Sequence, residues 1–102
     1  MSEVVKLAKV GAVASGEAKT FEVKGKSIAI VNVDGEYYAI DDICTHDSGP
    51  LADGEVMGYE IECPRHGARF DVRTGKAVCF PAVIPVSTYK VILKDDDILI
   101  EI

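Results

Sequence analysis

At 102 residues the chain has room for a single core, and a net charge of −6, from 11 basic against 17 acidic residues, argues against nucleic acid or an anionic membrane surface as a partner. A hydrophobic content of 48% is that of a folded protein; three cysteines are too few for a disulfide framework, and no apolar run approaches the roughly 18 residues of a membrane-spanning helix. The opening Met1-Ser2-Glu3-Val4-Val5-Lys6 carries an early acid and lacks the apolar segment of a secretory signal, so a cytoplasmic location is expected.

The first part of the chain reads as a meander of short strands. Residues 3–7 form a first strand, and the small residues of 8–16 a loop or short helical turn. Residues 19–23 and 27–33 are β-branched and apolar, with Lys24-Gly25-Lys26 as the hairpin turn between them. Asp34-Gly35 marks the next turn, before a strand at 36–40 in which Tyr37 and Tyr38 are expected to face opposite ways, one inward and one outward.

Two clusters follow. Cys44-Thr45-His46 is separated by 16 residues from Cys63-Pro64-Arg65-His66, and the two together hold both histidines and two of the three cysteines. Each histidine has a cysteine two or three places before it, a coincidence with a chance on the order of 0.3%. Cys44, His46, Cys63 and His66 are therefore the candidate metal ligands. Two thiolates and two imidazoles suit either a tetrahedral zinc ion or a [2Fe–2S] cluster with two thiolates on one iron and two imidazoles on the other. A cluster held by four thiolates of this chain is excluded, since only three cysteines exist.

Cys-x-His, this interval, and Cys-x2-His followed by Gly67 resemble the Rieske signature. The resemblance extends to Tyr38-Ala39-Ile40-Asp41-Asp42 before the first cluster, Gly49-Pro50-Leu51 after it, and the segment around Pro81. It implies an all-β fold: an antiparallel sandwich or barrel base, from residues 1–42 and 81–102, carrying a small cluster-binding subdomain at 43–80 within one domain spanning 1–102. It also implies one [2Fe–2S] cluster on the four ligands. With two thiolates such a cluster is neutral when oxidised and singly negative when reduced, whereas four thiolates would start it doubly negative. The easier reduction gives one-electron carriers with potentials of roughly −150 to +300 mV.

The later elements follow in order. Short strands are expected at 55–57, 59–62, 68–72 and 76–80, with a turn at Arg73-Thr74-Gly75. All three arginines, Arg65, Arg69 and Arg73, fall in this region; they read equally as a positive field that orients a partner or as a solvated hairpin face. Cys79 reads as a small buried hydrophobe. Pro81 to Pro85 cannot lie in a central strand, and in the proteins it resembles such a loop shields the cluster from water. Residues 88–94 and 98–102 form a closing hairpin around Asp95-Asp96-Asp97. In it Tyr89, Val91 and Leu93 alternate with Lys90, Ile92 and Lys94, while Ile98, Ile100 and Ile102 share a face.

Departures from the family pattern carry information. High-potential Rieske proteins have an extra cysteine in each ligand loop, joined as a disulfide; Gly49 and Arg65 stand at those positions. Their serine and tyrosine hydroxyls, which donate to cluster sulfurs, are matched here by Ala68 and Phe70. A potential near the low end, around −150 mV, is therefore expected.

With both histidines committed, none remains for a mononuclear oxygen-activating iron, so the chain is not a complete oxygenase. Neither a nucleophile–histidine pair nor a glycine-rich phosphate loop is present. The resemblance is greatest to soluble ferredoxins that carry electrons from a flavoprotein NAD(P)H-dependent reductase to the terminal oxygenase of an aromatic-ring-hydroxylating system, and a monomer is expected. A Rieske-like small subunit of assimilatory nitrite reductase and a structural zinc module are the alternatives.

Overall fold

Hairpins with tight turns build the larger of two sheets. The computed structural model describes residues 3–43, 50–64, 67–79 and 84–102, apart from the side chain of Cys79. Among them are ten strands and no helix: β1 (Val4–Lys9), β2 (Ala18–Val23), β3 (Lys26–Val33), β4 (Glu36–Asp41), β5 (Glu55–Met57), β6 (Glu60–Glu62), β7 (Arg69–Asp71), β8 (Ala77–Cys79), β9 (Thr88–Lys94) and β10 (Asp97–Glu101).

The β2–β3 and β3–β4 turns have two residues each, Lys24-Gly25 and Asp34-Gly35. All four residues have positive φ, between 50° and 91°, the mirror-image turn whose twist matches that of the flanking strands. Lys26 therefore lies in β3, outside the turn, paired with Val23. At the other end Asp95-Asp96 alone makes the turn, and Asp97 pairs with Lys94.

Six strands in the order β1-β10-β9-β4-β3-β2 form an antiparallel sheet that curls into a nearly closed barrel. An exposed 2.7 Å ion pair from Lys24 to Glu3 links its two edges. The strand expected at 3–7 continues to Lys9 past a bulge after Lys6, so Ala8 and Lys9 pair with β10 instead of starting a loop, and no helical turn follows. The other four strands, β5-β6-β7-β8, make a second antiparallel sheet whose residues all fall between β4 and β9 in the chain. Its strands are shorter than expected: Tyr59 belongs to the turn, and Ala68, Val72 and Lys76 flank strands without joining them.

Alternation along β3 and β4 divides the core in two. Ile28, Ile30 and Ala39 join Val13, Val23 and Ile100 on the barrel's inner side, while Ala29, Val31, Val33 and Ile40 pack against Ile61, Phe70 and Val72 of the small sheet. β3 is thus buried on both faces, in keeping with its nearly unbroken apolar run. Its one polar interior residue is satisfied: the Asn32 amide donates to Val13 O at 2.8 Å and accepts from Gly35 N at 2.8 Å.

Two expectations about side-chain burial need correction. Tyr37 points into the barrel, but Tyr38 is not left outward to solvent: it packs on the small sheet, edge-on to Tyr59 with ring centroids 6.2 Å apart. Leu93 alternates in phase with Tyr89 and Val91 along an unbroken pairing with β10, yet at the strand end beside the Asp95-Asp96 turn it is 52% exposed and not half-buried. Ile98 and Ile100 are fully buried, and Ile102 packs against the same barrel core as Ile100.

Candidate metal centre

Of the four candidate ligands, Cys63 is described; Cys44, His46 and His66 lie outside the described residues, as do Gly49, Arg65, Pro81 and the Cys79 side chain. What the structure shows is the frame from which the two clusters spring. β6 delivers Cys63 at its end. There the chain turns back within a few residues: Cys63 N donates to Ala68 O at 2.6 Å and Gly67 N to Cys63 O at 3.1 Å. Gly67 has φ of +76°, in the left-handed region, which gives a conformational reason for glycine right after the second histidine.

The root of the first cluster loop packs beside this turn. Leu51 is fully buried in the same apolar group as Cys63, Ala68 and Phe70. Gly54 lies so close to the strand preceding Cys63 that a Cβ on it would sit 1.8 Å from Glu62 O. Both groups are backbone, so neither can swing aside. Gly54→Ala is expected to lower folding stability by about 3 kcal/mol, seen as a reduced urea midpoint; a midpoint equal to that of the wild type would show that the two backbones can part freely.

The segment after the proline-containing stretch is tied to both sheets. Val86 N donates to Gly75 O at 2.8 Å and Ser87 O accepts from Asp41 N at 2.9 Å. Of the Pro81-to-Pro85 segment expected to shield the cluster, Ile84 and Pro85 are exposed, and Pro81, Ala82 and Val83 lie outside the described residues. Beside Ser87, the Tyr89 hydroxyl donates to Asp41 Oδ1 at 2.5 Å, and burial together with that carboxylate pushes the phenol up to about 12.

Two of the three arginines are held by carboxylates of their own sheet. Arg73 makes a two-point contact with Asp71, at 3.1 and 2.8 Å, and stacks over Tyr59 with its guanidinium carbon 4.1 Å from the ring centre. These hydrogen bonds hold the Asp71 carboxyl below its usual range. Arg69 Nε is covered and lies 3.6 Å from Glu62 Oε1, an ion pair too long for a hydrogen bond. Arg69 and Arg73 thus each have a carboxylate beside them, while Arg65 lies outside the described residues.

Cys63 suits a ligand position. Its side chain is 1% exposed, it has no disulfide partner, and its surroundings are apolar, so a metal-bound thiolate there would be shielded from water. Among the described residues no three His, Cys, Asp or Glu gather as an alternative metal site.

The Rieske [2Fe-2S] domain model matches residues 3–90. The chain belongs to the Rieske [2Fe–2S] family. Its cofactor is a [2Fe–2S] cluster, which replaces the zinc alternative. The Rieske domain is 44% identical over 87 residues to the ferredoxin component of the naphthalene 1,2-dioxygenase system of Pseudomonas putida, covering 85% of this chain and 84% of that one. It superposes on the ferredoxin of carbazole 1,9a-dioxygenase from Nocardioides aromaticivorans IC177 with a TM-score of 0.92 and 35% identity, over 95% of each chain. A structure of a complex of reduced oxygenase and oxidized ferredoxin in carbazole 1,9a-dioxygenase also matches, with a TM-score of 0.90 and 28% identity over 95% of this chain and 91% of the matched one.

One set of contacts is not visible in the sequence. Asp42, which the resemblance includes only as part of the stretch before the first cluster, is 5% exposed, and its carboxylate accepts from the backbone N–H groups of Leu51 and Ala52. An aspartate at a strand end signals a local backbone contact. Partners nine and ten positions onward, at Leu51 and Ala52, leave no such signal.

Proposed function

We propose that this Rieske domain is a one-electron carrier that accepts electrons from a flavoprotein NAD(P)H-dependent reductase and passes them to the terminal oxygenase of an aromatic-ring-hydroxylating system. Cys44 and Cys63 would hold one iron and His46 and His66 the other, within a unit spanning 43–80 set into a base of 1–42 and 81–102. The cluster supplies reversible one-electron chemistry; the chain's own residues hold it, exclude water and set its charge balance. With both imidazoles on the cluster no residue set remains for oxygen activation, so the protein acts as a component and not as an enzyme, in the cytoplasm. No helix among the described residues is long and apolar enough to cross a membrane.

The observation that carries the reading is the match to ferredoxin components over most of their length as well as most of this chain's. Its test is anaerobic rapid mixing. The oxidised protein is expected to be reduced by an NADH-dependent flavoprotein reductase of a ring-hydroxylating system, then reoxidised by the oxygenase component of that system. A protein that takes an electron from dithionite, yet exchanges none with either component across several such systems, would overturn the assignment.

A further inference from the structure

We propose that Asp42 is a positioning residue for the first ligand loop, a clamp that joins its two ends and holds them to the barrel. Asp42 is the last residue of the chain's approach to Ile43 and Cys44, and its Oδ1 accepts hydrogen bonds from the backbone N–H groups of Leu51, at 2.8 Å, and Ala52, at 2.7 Å, immediately beyond the loop. Oδ2 accepts from the Thr20 hydroxyl at 2.5 Å, which ties the clamp to β2. The main-chain N–H of Asp42 donates to Ser27 O at 3.0 Å, on β3. One side chain thus gathers the entry of the loop, its exit and the barrel.

Burial makes the arrangement costly to lose. A carboxylate only 5% exposed needs partners, and among the described residues no cation pairs with it; three donors do. Hydrogen bonds to an ionised acceptor are shorter and stronger than neutral ones, and removing this acceptor strands two main-chain N–H groups as well. The effect reaches the metal centre through position. Leu51, whose N–H is held, is fully buried against the group that contains Cys63, so fixing the loop's exit fixes it relative to the opposite ligand. Cys44 and His46 follow Asp42 by two and four residues in the chain. Without the clamp the loop keeps its ligands but loses the registry between them and Cys63.

The inference rests on Cys44 and His46 being ligands, and its test separates the two claims. Reconstituted holoprotein is compared as wild type, Asp42→Ala, Asp42→Asn and Thr20→Val. A control, Ile100→Val, trims the barrel interior, an apolar group distinct from that of Cys63. Two readouts are taken: the rate at which a ferrous chelator bleaches the visible spectrum, and the EPR g values after dithionite reduction. Asp42→Ala is expected to bleach about tenfold faster with shifted g values, Thr20→Val about fivefold faster, and Asp42→Asn within about threefold of wild type because its amide oxygen still accepts both N–H groups. Ile100→Val is expected to lower the urea midpoint and leave bleaching and g values unchanged. Wild-type bleaching rates in Asp42→Ala, or equally fast bleaching in Ile100→Val, would overturn the clamp. Should Asp42→Ala not fold, Thr20→Val bleaching at the wild-type rate would do so. Wild-type protein that assembles no cluster would instead overturn the ligand assignment, and the clamp with it.

Discussion

Cys63→Ala is expected to give a folded but colourless protein, with no more than traces of iron and acid-labile sulfide after reconstitution. The side chain is 1% exposed among Leu51, Ala68 and Phe70, and alanine there removes one sulfur from a small apolar site. The fold should therefore survive with a loss of about 1 kcal/mol, read as an unchanged far-ultraviolet β spectrum and a modestly lower urea midpoint. The cofactor should not survive, because iron left with a single thiolate and no substitute has an incomplete coordination shell. Cys79 is the sole thiol of the chain beyond the two candidate ligands, so Cys79→Ala provides the contrast and is expected to keep its cluster and colour. Iron and sulfide analysis of the two variants decides the matter: a full cluster in Cys63→Ala would remove Cys63 from the ligand set.

Hairpins were legible because their chemistry is local. Lys24-Gly25 and Asp34-Gly35 tolerate positive φ, and the β-branched and apolar segments on either side pair in the register that a two-residue turn imposes. The closing strands carried the same signal, and Ile98 and Ile100 lie where their spacing places them, inside. What stayed hidden depended on the second sheet. Alternation says that Tyr37 and Tyr38 face opposite ways, but not that the outer face of β4 is covered by Tyr59 and its neighbours.

The candidate ligands stand out in the sequence for a different reason: thiols and imidazoles are scarce in this chain, and their pairing singles them out as candidates without any fold. The supports of the site have no such rarity. Asp42 is one of 17 acidic residues and Gly54 one of 9 glycines; their roles come from contacts with Leu51, Ala52 and Glu62, set by how the loop returns in space. Arg69 and Arg73 show the converse. Their clustering in sequence reads equally as a field or as a solvated face, and it carries no sign of the carboxylates of Glu62 and Asp71 that lie beside them.

A reduction potential near −150 mV is expected, at the low end of a family range that spans roughly 450 mV, or about 10 kcal/mol for one electron. One lever on the position in that range is how many hydrogen-bond donors meet the negative charge that reduction adds. Ala68 and Phe70, both fully buried in the group containing Cys63, offer none from their side chains. Two nearby main-chain donors are already engaged, Cys63 N by the Ala68 carbonyl and Gly67 N by the Cys63 carbonyl, so neither is free to turn towards sulfur. Protein-film voltammetry measures the outcome directly, and a wild-type value well above zero would contradict the account. The reverse experiment is Phe70→Tyr, which places a phenol O–H in that apolar group. One hydrogen bond to the reduced centre, on the order of 1.4 kcal/mol, should raise the potential by about 60 mV. Ala68→Ser should move it the same way, and by less where the shorter hydroxyl instead bonds its own backbone. A potential unmoved in both variants would show that the missing hydroxyls are not what keeps it low.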